Sequence, residues 1–60
     1  MKPEFVRELI RTANRERFNS SEVRSLVDFA EGMVMLTGEE QNRAGVYAIT
    51  EMWKESFDEP

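Results

Sequence analysis

The side chains that could carry chemistry in this chain are few. There are four serines (Ser20, Ser21, Ser25 and Ser56), two close carboxylate pairs (Glu39/Glu40 and Glu51/Glu55) and a line of arginines at Arg7, Arg11 and Arg15. A serine nucleophile needs a base beside it, and a proton shuttle near neutral pH ordinarily needs histidine. The sequence holds no His and no Cys. The carboxylate pairs fall on helix surfaces, where solvated acids are the rule, and a hard cation needs more organised oxygen ligands than they offer. The sequence therefore reads as non-enzymatic, with no catalytic residue, no metal site and no cofactor.

The basic residues raise a different chemistry. A first helix, a short connection at Arg17-Phe18-Asn19 and a capped second helix could form a helix-turn-helix pair. Arg11, Arg15, Arg17 and Arg24 would then be available to phosphates, and Ser20 and Ser21 would stand at the start of the second helix. Charge argues against it. Residues 1–30 hold six basic and five acidic side chains, a net of +1, whereas residues 31–60 hold two basic and seven acidic ones, a net of −5. Phosphate neutralisation drives nucleic-acid affinity. A chain with net charge −4 and Glu22, Asp28 and Glu31 on the presumed recognition helix is poorly made for it. DNA binding stands as the alternative reading, behind contact with protein.

The elements that must position these residues are helices. Pro3 suits a first helical position, and Phe5, Val6, Leu9, Ile10 and Ala13 recur on one face. Opposite them, Glu4 with Arg7 and Glu8 with Arg11 stand at the spacing of surface ion pairs. Asn19 followed by Glu22 gives a capping box, with Phe18 and Val23 at the two positions of a hydrophobic staple. Gly38 suits the left-handed end of the second helix, and Thr37 with Glu40 reads as a second capping box. The expectation is an all-α, three-helix domain with helices at about 3–16, 20–36 and 39–57, and fraying at Asp58-Glu59-Pro60. Its second and third helices should be antiparallel or meet at a sharp corner. Gly45, in the apolar face of the third helix, implies the close approach of another helix backbone.

The second helix carries the widest apolar arc. Val23, Leu26, Val27, Phe29, Met33, Val34 and Leu36 spread over about half its circumference at 100° per residue, with Met35 on the far side. Sixty residues form one domain with a small core, and chains this short usually gain stability from disulfides, metals or association. With no Cys or His, association is the route left. We therefore expect a homodimer, or a site for another protein, built on the second helix and part of the third. Phe29, Met33, Met35, Leu36, Ile49, Trp53 and Phe57 are the candidate interface residues. Tyr47, on the opposite side of the third helix, is either an exposed ring or a dimer contact.

No apolar run approaches the ~18–20 residues that span a bilayer, and no signal peptide is visible, so a cytoplasmic location is expected. A short acidic chain with a Met-Lys-Pro-Glu start, compact capped helices and no catalytic residues resembles the small helical accessory proteins made early by lambda-like temperate phages. That resemblance implies a regulatory role through protein–protein contact, modulating host physiology or the lysis–lysogeny choice. A host-encoded antitoxin-like or anti-sigma-like regulator would share the same character.

Overall fold

The computed structural model describes residues 1–57 as three α-helices: α1 (Pro3–Arg15), α2 (Ser20–Thr37) and α3 (Arg43–Glu55). The expected fraying at 58–60 lies outside the described residues. Each helix packs on the other two. The backbone amide of Lys2 donates to the Gln41 side chain (2.6 Å), so α1 and α3 start together. Lys54 bonds Glu16 (2.8 Å), so they also end together, running parallel. The Trp53 indole meets Ser25, which sets α2 antiparallel to α3. The radius of gyration, 10.7 Å, matches the ~10 Å of a compact chain this long.

Phe5, Leu9 and Ala13 of α1, Leu26 and Ala30 of α2, and Val46, Ile49 and Trp53 of α3 form one buried cluster. Leu9, Leu26 and Ile49 have no exposure at all. The buried face of α1 is rotated from the expected one. Thr12 is buried there, and Ile10 stays 39% exposed. Two helices press on α1 from either side of the Phe5-Leu9-Ala13 line, which leaves Ile10 at its rim.

The helix ends follow local chemistry. Lys2 is the N-cap of α1 and Pro3 its first residue, as expected. At α2 the Asn19 side chain accepts from the Glu22 amide, and the Glu22 carboxylate accepts from the Asn19 amide, both at 2.8 Å. The capping box is complete. Gly38 ends α2 in the left-handed region (φ 70°), its amide reaching the Val34 carbonyl.

A further terminator is absent from the sequence reading. Arg17 has φ 62°, the Phe18 amide donates to the Ala13 carbonyl and the Arg17 amide to the Asn14 carbonyl. This is a Schellman motif with arginine at the position glycine prefers.

The start of α3 corrects the expected boundary. Thr37 does not cap a new helix. Its hydroxyl donates back to the Met33 carbonyl (2.6 Å). The N-cap is Asn42, which accepts from the Gly45 amide (2.8 Å) and donates to the Glu40 carboxylate (2.7 Å). The Gly38–Asn42 connection is thus longer than expected, and α3 begins at Arg43. Gly45 is corrected with it. A Cβ there would run into the Glu40 carbonyl oxygen, so the backbone nearest to it is that of the connecting loop and not of another helix.

Two substitutions test these ends in opposite directions. Gly45→Ala gains up to ~1 kcal/mol of helix propensity but must displace a backbone carbonyl, so urea denaturation should show a net loss of about 1–3 kcal/mol. Arg17→Gly relieves a left-handed L-residue and should stabilise by about 1 kcal/mol. An unchanged midpoint for both would contradict this account of the connections.

Candidate interaction surface

The surface is best built outward from Trp53. Its ring is 3% exposed, so its one polar atom must find a partner. The indole N–H donates to the Ser25 hydroxyl at 3.1 Å. Phe18, from the α1–α2 connection, tilts against the ring with centroids 5.0 Å apart. Phe57, just past α3, meets it edge-on at 4.8 Å and 83°. Aromatic pairs in such arrangements add about 0.5–1.5 kcal/mol beyond the area they bury. One side chain thereby joins the α1–α2 connection, α2 and the end of α3.

Beside this cluster lies a groove of about 210 Å³, lined by Ser21, Glu22, Ser25, Trp53 and Phe57. Its lining joins two aromatic rings to two hydroxyls and a carboxylate. By sequence alone Ser25 is a serine with no base beside it. Its work here is to satisfy the indole, a need that a buried tryptophan announces in any sequence. Ser56 is engaged as well, donating to the Trp53 carbonyl at 2.6 Å. Neither hydroxyl has a basic side chain among its hydrogen-bond partners.

The seven residues expected at an interface are divided by the fold. Ile49 and Trp53 are absorbed by the chain's own core. Phe29 and Met33 are half-buried against it. Met35, Leu36 and Phe57 stand in solvent at 76%, 86% and 64% exposure. These three are not one patch. Phe57 flanks Ser21 at the start of α2, and Leu36 lies 15 residues further along the same helix, which at 1.5 Å per residue is about 22 Å. Tyr47, half-exposed on α3, is an exposed ring in this chain.

The residues of the nucleic-acid reading are all at the surface: Arg11, Arg15, Arg17, Ser20, Ser21 and Arg24. Arg11 pairs with Glu8 at 3.2 Å, one of the two expected α1 pairs. Among the described residues Glu4 and Arg7 form no such pair. The start of α2 is occupied by its own cap, since Asn19 and Glu22 are bonded to each other. That leaves a carboxylate where a phosphate would sit. Among the described residues no three acidic, His or Cys side chains gather as metal ligands, and no helix is long and apolar enough to cross a membrane.

Among the described residues, Lys54 is the one group whose ionisation is clearly displaced. Its hydrogen bond to Glu16, helped by the charges of Glu16 and Glu51, outweighs desolvation and holds the ammonium above the ordinary 10.5 of lysine. Glu51 stands 3.7 Å away. Compared with protein-family models, curated proteins and solved structures, the chain matches none.

Ser25→Ala should cost about 1 kcal/mol by leaving the indole N–H without its partner, and should be close to neutral in a Trp53→Phe background. A double-mutant cycle in urea checks this, and additive losses would break the link. Lys54 gives a pH test. A raised folded pKa means its contribution is fully present below pH 10.5 and fades as pH rises through the folded value. Lys54→Met should flatten the alkaline decline in stability, and an unaltered decline would remove Lys54 as its source.

Proposed function

We propose that this chain is a small non-enzymatic regulatory protein that acts in the cytoplasm through protein–protein contact, as a homodimer paired through α2. The observation that carries this reading is the contrast on one helix. Leu26 and Ala30 are sealed in the core, yet Leu36 is 86% and Met35 76% exposed a few residues on. Scattered apolar residues on a surface are ordinary. Two large neighbours at the end of a helix, in a chain whose core closes without them, have no role inside the domain.

Three further points support it. Phe29, Met33, Val27 and Val34 are only half-covered, so the apolar side of α2 continues toward solvent. A chain of this size has little stability to spare, and association adds burial that one small core cannot supply. The absence of histidine and cysteine leaves the surface, rather than a reactive centre, as the working part. The style of chain is that of the early accessory proteins of lambda-like phages, and a role in host takeover or the lysis–lysogeny choice is part of the proposal.

Sedimentation equilibrium over a dilution series tests it. The wild-type chain should approach twice its 7.0 kDa mass, and Leu36→Glu should weaken association at least tenfold while far-ultraviolet circular dichroism keeps its helical form. A chain that stays at 7.0 kDa at every concentration would overturn the dimer.

A further inference from the structure

The groove and the exposed leucine lie on the same side of α2. At 100° per residue, Ser21, Ser25, Gly32 and Leu36 fall within about 60° of arc, on the flank of α2 that turns toward α3. That flank is fixed by the bond from Trp53 to Ser25. One end of the stripe is therefore a hole, the groove under Phe57, and the other end is a knob, Leu36. Between them Gly32 has nothing within 4 Å of where a Cβ would stand, so the middle of the stripe is low and unobstructed.

Resting on the homodimer reading above, we infer that two copies pack α2 against α2 in antiparallel fashion, each seating its Leu36 in the partner's groove. A second copy is the occupant because hole and knob belong to the same chain. A two-fold interface is self-complementary, so one rotation seats both leucines at once. With the axis passing close to Phe29, Leu36 of one copy lies opposite Ser21 and Glu22 of the other. A groove of about 210 Å³ has room for water molecules. An aliphatic side chain displaces them and packs beside Phe57.

Charge points to the same arrangement. Arg24 lies toward the start of α2 and Glu31 toward its end. Both are exposed, and neither forms an ion pair among the described residues. They share one edge of the stripe, and in an antiparallel pair like edges meet. Arg24 of each copy then comes within a helical turn of the partner's Glu31. In a parallel two-fold pair unlike edges meet, so the Arg24 and Glu31 of the two copies would fall on opposite sides of the seam and make no such contact.

The chain's lack of cysteine makes the test direct. Ser21→Cys, Leu36→Cys and the double variant are oxidised and run on non-reducing gels, alongside sedimentation of the untreated wild type. The two positions are about 22 Å apart within one chain, far beyond the ~7 Å Cα separation a disulfide tolerates. The expected result is a covalent dimer from the double variant, and from a mixture of the two singles, with neither single crosslinking alone. Crosslinking of each single with itself would show a parallel pair and overturn this geometry while leaving the dimer in place. A wild-type dimer with no crosslink from any variant would also overturn the geometry alone. A wild-type monomer would overturn both the geometry and the reading it rests on.

Discussion

The burial of Trp53 is the constraint on which the rest of the molecule depends. Trp53 is the largest side chain in the buried core, and it joins the α1–α2 connection, α2 and the end of α3. It lies tilted against Phe18, donates to Ser25 and meets Phe57 edge-to-face. The bond to Ser25 fixes how α3 lies along α2. The ion pair one residue on, from Lys54 to Glu16, fixes the same end of α3 against α1. At the opposite end the Asn42 cap and the Lys2–Gln41 bond hold the start of α3. Between these two fastenings the aliphatic core is free to close completely.

That closure shapes what is left for function. Because Leu9, Leu26 and Ile49 are fully enclosed, the chain does not need a second copy to hide its centre. The wide apolar arc on α2 thus has a narrower role. The arc is not an open core awaiting a lid. It is a covered middle with a ragged edge, half-buried at Phe29 and Met33 and bare at Leu36. Association through such an edge adds stability to an already folded unit, which suits a regulator whose assembly answers to its concentration.

Much of this was legible in the sequence, and the reasons differ by residue. The α2 start is set by Asn19 and Glu22 alone, within one turn of helix, so the local pattern was sufficient. The same holds for Pro3 and Gly38. The Schellman turn at Arg17 escaped because no glycine marks it. Only the Asn14 and Ala13 carbonyls, taken up by amides three and five residues on, reveal it. The start of α3 escaped because Thr37 and Asn42 both offer a cap, and the sequence does not say which hydroxyl or amide turns back. The reading of Gly45 found the right feature, close approach, but not its cause, which lies in the loop just before it. Ile49 and Trp53 on α3 could not be sorted from Leu36 on α2 by helical spacing, since each lies on the apolar face of its own helix whether that face is core or interface. Only the packing of the third helix separates them.

The central claim is that the outer flank of α2 and α3 is the working surface of this protein. The most direct test is a nitrogen–proton correlation spectrum of the labelled chain, recorded across a dilution series. The account predicts concentration-dependent shifts in the Ser21, Ser25 and Leu36 amides and in the single indole resonance of Trp53, with the α1 amides from Arg7 to Arg15 unmoved. Shifts centred on the arginines of α1, or none anywhere at millimolar protein, would contradict it.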